Sequence, residues 1–307
     1  MAQSKTLRVT SSFSYPTKNL PRELNHSKKL DMKQTPKVLV PVDFSACSET
    51  ALGFAIQLAN KTEAELHILN VLNIDSMNIG NSYAAMLDFD ELFWRSRSRM
   101  KKFIQKVSDG VRSSIDAPPV IKTIIEIGRR PGATICDVAK RNQIHYIVLG
   151  TKGEKKVGTK QLGSVTSTVL KNVPCTVLAI PENSDFVKNG TIGYAADVST
   201  IDLSEISRAI KFFSSLQPSI KCVHLNERQA IDQVETEELI SSFDESELDV
   251  SLYALELKPE VKDVSGFIEK ENISMLAVRK PKRSLFLKSF AQKFARYTDV
   301  PLLVLNS

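Results

Sequence analysis

The sequence predicts an α/β protein: two tandem, doubly wound, five-stranded and mainly parallel sheets. Three observations carry that prediction. Short apolar, β-branched runs alternate with segments of helical period along residues 37–180. A weaker version of the same alternation follows from residue 191, and VPLLVL at 300–305 mirrors VPCTVLAI at 173–180. Late in the first of these, a strand-like run ends in glycines just before a helix start, at residues 147–166.

The elements follow in order. Residues 1–35 are polar and basic, without periodicity or an apolar signal core, and read as a disordered tail. Met32 precedes the first strand closely, so a chain beginning there would keep the whole unit, and the start could be Met1 or Met32. Residues 37–42 (KVLVPV) are apolar at nearly every position, as in a strand covered on both faces. Asp43, Phe44 and Ser45 end it. Ser45 or Ser48 can cap a helix at about 47–60. A second strand spans 65–71, a loop 73–85, and a long helix about 87–115. That helix would carry Trp94, Met100, Phe103, Ile104 and Val107 on one face. The third strand is 120–127. Pro131 suits the first turn of a helix over 131–142. The fourth strand is 146–149, the fourth helix 164–171 and the fifth strand 174–180.

The stretch IVLGTKGEKKVGTKQLGSVT at 147–166 holds the most specific pattern. Gly150, Gly153 and Gly163 stand at the spacing G-x2-G-x9-G, and Ser164 opens the helix. Glycine lets a backbone approach an anion, and the first N–H groups and dipole of a helix complement negative charge. This is not a P-loop. Gly158 is followed by Thr159 and Lys160, the reverse of the Lys-Ser/Thr order that motif requires. Read alone, the stretch is also compatible with a glycine-rich surface loop carrying Lys152, Lys155, Lys156 and Lys160.

Composition narrows the function. Of the 307 residues, 42% are hydrophobic and 25% charged, as in ordinary globular proteins, and no apolar run approaches a membrane span. Cys47, Cys136, Cys175 and Cys222 are scattered, without a CxxC pair, and so suggest neither a disulfide framework nor a zinc site. His26, His67, His145 and His224 are isolated as well. The net charge of +6 sits largely in residues 1–35, which hold seven basic residues against two acidic ones. The remainder is close to neutral, so nothing calls for a nucleic-acid or membrane partner.

The glycine pattern G-x2-G-x9-G-S, followed by Val165 and Thr166, resembles the ATP-binding signature of the universal stress protein family. The resemblance covers residues 36–181 and implies that family's adenine-nucleotide alpha hydrolase-like fold. PVDFS matches its first strand end, which implies that Pro41, Val42 and Asp43 border the adenosine, with Asp43 contacting it. Val71 falls where the family has an apolar contact to adenine. Leu149, Gly150, Lys152, Gly153, Gly163, Ser164, Val165 and Thr166 match the positions around ribose and phosphates. Lys152 replaces a frequent His or Arg, and Asn70 a frequent His. Residue by residue there are plainer readings: Asp43 as a helix cap, Val71 as core, the lysines as a solvated run.

Residues 182–190 read as a linker. Over 191–307 the elements are strands at 191–195, 220–224, 250–257, 275–278 and 300–305, with helices at 203–216, 234–243, 260–270 and 286–297. Asp197, Val198 and Ser199 echo Asp43, Phe44 and Ser45. The glycine cradle is gone: Arg279, Lys280, Pro281, Lys282, Arg283, Phe286 and Leu287 stand in its place. This half reads as a degenerate copy that binds no nucleotide.

The resemblance then implies a cytoplasmic ATP-binding regulator or sensor of stress, acting on a protein partner the sequence does not name. Its ligand is ATP, with or without Mg, and no catalytic residue or metal ligand is assigned. The two halves would pair through residues 177–180 and 302–305 as an intramolecular pseudo-dimer, with a further homodimer left open. Two alternatives remain: a slow ATPase or nucleotidyl or phosphoryl transferase on the same fold, and a nucleotide-free interaction module.

Overall fold

The computed structural model describes residues 35–73, 83–153, 162–186, 190–196, 219–224, 250–254, 261–280 and 300–306. The expected tail, most of the 73–85 loop, Lys155, Lys156 and Lys160 lie outside them. So do the Asp197 echo, the helices expected at 203–216, 234–243 and 286–297, and the loop from Pro281 to Leu287.

β1 (Lys37–Pro41) is the hub of the first half. Val38, Leu39 and Val40 have no exposed surface. Alternation along the strand sends Val38 and Val40 into one core layer and Leu39 into the other, so helices must cover both faces. α1 (Ala46–Thr62) starts at Ser45, whose hydroxyl accepts the Ser48 N–H, and closes on Glu63 in the left-handed region. β2 (Glu65–Asn73) pairs in parallel with β1, with Pro41 opposite Leu69. It therefore runs four residues past the end of β1.

α2 (Tyr83–Val111) begins inside the expected loop and ends in a 3-10 turn at Arg112–Ser114. Met100, Phe103 and Val107 are buried on it. Trp94 is not on that face: it is 64% exposed, with the Arg97 guanidinium over its ring. Six residues before Met100, it points about 120° round the helix from the buried stripe.

β3 (Ile121–Gly128), α3 (Pro131–Arg141), β4 (Tyr146–Gly150), α4 (Ser164–Asn172) and β5 (Thr176–Ile180) complete this half within two residues of the expected bounds. α1 and α2 pack on the Val38/Val40 side, α3 and α4 on the Leu39 side. β6 (Thr191–Ala196), β7 (Ser219–His224), β8 (Val250–Ala254), α5 (Val261–Lys270), β9 (Ile273–Lys280) and β10 (Leu302–Asn306) follow.

The two sets of five strands form one ten-stranded sheet in the order β3-β2-β1-β4-β5-β10-β9-β6-β7-β8. All neighbouring pairs are parallel except β5 and β10, which run antiparallel with Val177 opposite Val304, Leu178 opposite Leu303 and Ala179 opposite Leu302. Each half has the same order counted from its own first strand. One core layer runs across the junction, from Val148, Leu178 and Ile180 to Leu303, Leu305, Ile192 and Tyr194. Among the described residues, no helix is long and apolar enough to cross a membrane.

Candidate functional site

The strand order reverses at β1, which has β2 on one side and β4 on the other. The helix after β1 covers one face and the helix after β3 the opposite face. In open α/β sheets such a reversal is where a crevice forms beyond the carboxyl ends of the strands, here those of β1 and β4. The overhang of β2 and β3, with Val71 opposite Glu126, walls one side. Val71 is partly buried and packs against the α3–α4 layer.

The segment after β1 is held rigidly. Val42 N–H donates to the Leu69 carbonyl at 2.8 Å, and Val42 C=O accepts the Asn70 amide, also at 2.8 Å. The Asn70 amide oxygen in turn accepts the Ser96 hydroxyl of α2 at 2.8 Å, with both side chains buried. Asp43 is exposed, and its Oδ1 accepts from Ser45 N–H at 3.1 Å and Ser45 Oγ–H at 2.6 Å. So Ser45, not Asp43, caps α1, while Asp43 makes the turn into it. Phe44 between them has φ 66°, an uncommon conformation for an aromatic residue. Phe103 meets its ring edge-on at 5.4 Å, and the Arg99 guanidinium lies over it at 4.2 Å.

The segment after β4 comes to meet it. Pro41 ends β1, Leu149 is the last residue but one of β4, and Lys152 follows β4, half-buried. Thr151 N–H donates to the Ile180 carbonyl at 2.9 Å, and Gly163 N–H donates to the Thr151 carbonyl at 2.8 Å. That last bond closes the long glycine loop at its base. A β-carbon on Gly153 would stand 2.7 Å from Asp43 Oδ2, and one on Gly163 would stand 3.7 Å from Gly153 N. Gly163 precedes α4 without a side-chain cap, and Ser164 is exposed at the helix start. Bare backbone, an uncapped helix N-terminus and Lys152 thus lie together beside one carboxylate. Such a cradle suits a ligand that joins a phosphate to a hydroxyl-bearing group.

Two of the expected site residues have structural partners of their own. One is Gly150. Its missing β-carbon makes room for α1, since a β-carbon there would lie 2.8 Å from Cys47 Sγ and 3.0 Å from the Cys47 carbonyl carbon and oxygen. The other is Thr166. It is 3% exposed and donates to the Gly150 carbonyl at 2.7 Å, tying α4 to the end of β4. Val165 is partly buried against the α3–α4 layer. Cys47 is buried under this junction and donates to the Ile180 carbonyl at 3.4 Å. Burial pushes its thiol above the usual range, against the hydrogen bonds from Lys152 and Thr151 that lower it.

Sequence reasoning passed over Ser96 and Thr151 and gave Asn70 little weight. A polar residue at 70, between Leu69 and Val71, was the available signal. Nothing in the residue type of Phe44 announces its backbone conformation.

Comparison with known proteins identifies the family and the fold. Residues 35–181 match the model of the universal stress protein family. Universal stress protein YxiE of Bacillus subtilis is 30% identical over 148 residues, covering 47% of this chain and 97% of that protein. Universal stress protein Sll1388 of Synechocystis is 29% identical over 157 residues, covering 47% of this chain and 96% of its own. The crystal structure of a universal stress protein from Archaeoglobus fulgidus superposes with a TM-score of 0.64 at 18% identity, over 89% of this chain and 97% of that one, a likeness of fold. Through residues 35–181, the chain belongs to the universal stress protein family.

Proposed function

We propose that residues 36–181 bind ATP in the crevice between β1 and β4, and that the protein acts in the cytoplasm as a regulator or sensor of stress. The observation that carries this reading is the meeting of Asp43, Gly153 and Gly163 over the uncapped start of α4. In the bound state, Asp43 would accept a ribose hydroxyl, and Val71 would face the base. The N–H groups of Gly153 and of the first turn of α4, with Lys152, would receive the phosphates.

The second half is read as a diverged copy. The shared strand order about each hub strand supports that, as does the antiparallel junction of β5 with β10, which makes an intramolecular pseudo-dimer. Its loss of the glycines supports one nucleotide per chain. Mass spectrometry of small molecules released by denaturing the freshly purified protein tests the reading. Recovery of an adenine nucleotide is expected. No nucleotide recovered, together with no thermal shift on adding ATP, ADP or AMP, would overturn it.

A further inference from the structure

A second concavity lies at the opposite end of the sheet, where β1, β2 and β3 begin and α3 ends. Its volume is about 560 Å³, within the range of small-molecule sites, and Lys37, His67, Lys122, Arg141, Asn142 and Gln143 line it. No carboxylate is among the lining residues. Two glutamates pair with the cations. Glu65 holds Lys122 at 2.8 Å, and Glu126 holds Arg141 at 2.6 Å. Each pair uses one donor of its cation, out of the three on a lysine and five on an arginine. The Lys122 and Arg141 side chains remain 57% and 60% exposed.

His67 is the sharper observation. Its side chain is only 7% exposed and reaches the cavity from β2. Nε2 is engaged by Glu65, whereas Nδ1 is enclosed and has no hydrogen-bond partner. Buried polar atoms are seldom left so, and one that is left calls for a ligand or an ordered water. The carboxyl end of α3 would itself oppose an anion, but its last carbonyls are already taken. Asn142 N–H donates to Val138, Gln143 N–H to Lys140 and Ile144 N–H to Ala139. The Lys37 ammonium covers the Asn142 carbonyl at 3.3 Å. The balance at the cavity surface is cationic.

We propose that this cavity is a second ligand site, taking a small molecule whose carboxylate or phosphate group is received by Lys122, Arg141 and Lys37, and whose hydroxyl, on the phosphate or beside the carboxylate, donates to His67 Nδ1. It is separate from the nucleotide crevice, since it sits at the amino ends of strands whose carboxyl ends form that crevice.

The imidazole 15N resonances of His67, assigned by their loss in His67→Gln, report on the site directly. Titration of the full chain with inorganic phosphate, and separately with acetate, should shift them saturably, and the tighter of the two identifies the group. Lys122→Gln combined with Arg141→Gln should weaken that binding by about tenfold or more, as loss of charge-assisted hydrogen bonds predicts. Arg141→Lys, which keeps the charge, should retain most of it and guards against misfolding of the double variant. A His67 signal that stays still with both anions, or moves no more than with chloride at equal ionic strength, would mean the cavity holds only water and overturn the proposal. Equal affinity in the double variant would overturn it as well.

Discussion

Gly153 stands against Asp43: a β-carbon on Gly153 would lie 2.7 Å from Asp43 Oδ2. The loops after β1 and β4 therefore meet at a point where one side stays bare and the other carries a carboxylate. The obstruction is the far end of a side chain, which can rotate away. Gly153→Ala should accordingly cost less than about 1 kcal/mol of stability while weakening nucleotide binding by about tenfold or more. Urea unfolding and calorimetry on the same variant check the two halves of that statement. A variant that binds as tightly as the unmodified protein would remove Asp43 from the site.

Gly150 should behave in the opposite way. Its side-chain space is filled by the backbone of Cys47 at 3.0 Å, which cannot move without shifting α1. Gly150→Ala should destabilise the protein by roughly 1–3 kcal/mol, as overpacking does. Adding Cys47→Ala should restore only part of that, because the backbone contacts persist. Full restoration would show that Sγ alone, at 2.8 Å, sets the constraint.

The junction of the halves is testable at Val304, which lies opposite Val177 and is 4% exposed. Val304→Asp places an unpaired charge in the shared core. It should cost about 3 kcal/mol or more, or drive aggregation. Small-angle scattering of the unmodified protein should give one compact particle, and two flexibly linked lobes would contradict the continuous sheet.

Tyr146 gives the alkaline side of the stability curve a distinct origin. Burial pushes its phenol up from 10.0 to about 12. The folded state therefore binds the proton more tightly than the unfolded chain does. This contribution is complete below pH 10 and is lost as pH rises from 10 to about 12. Two units correspond to about 2–3 kcal/mol. Urea unfolding between pH 9 and 12 should show the unmodified protein losing about that much more stability than Tyr146→Phe. Parallel curves would place the phenol in water.

Much of this fold could be read before the structure because central parallel strands are apolar on both faces. KVLVP and YIVLG show this for β1 and β4, whereas β2 carries Glu65, His67, Asn70 and Asn73 among its apolar residues. The glycine spacing and PVDFS were legible for a related reason: bare backbone and a strand-end carboxylate are chemical requirements that show as residue types. What stayed hidden depends on contacts between distant segments. Trp94 looked like core because aromatic residues usually are, and only the phase of α2 turns it outward. The Gly150 carbonyl becomes a partner of Thr166 only through the approach of α4 to β4. The Asn70–Ser96 bridge joins residues 26 apart, and no local pattern marks Ser96 as its partner.

Calorimetric titration with ATP tests the central claim most directly, since it counts sites and the variants locate them. The crevice of the first half predicts a stoichiometry near one per chain. Gly163→Trp should abolish binding, because its side chain would fill the space beside Gly153 N and the start of α4. Asp43→Ala, which leaves the loop untouched, should weaken it, and Asp197→Ala in the second half should leave it unchanged. A stoichiometry near two, or binding that survives Gly163→Trp and is lost in Asp197→Ala, would contradict the account and move the site to the other half of the chain.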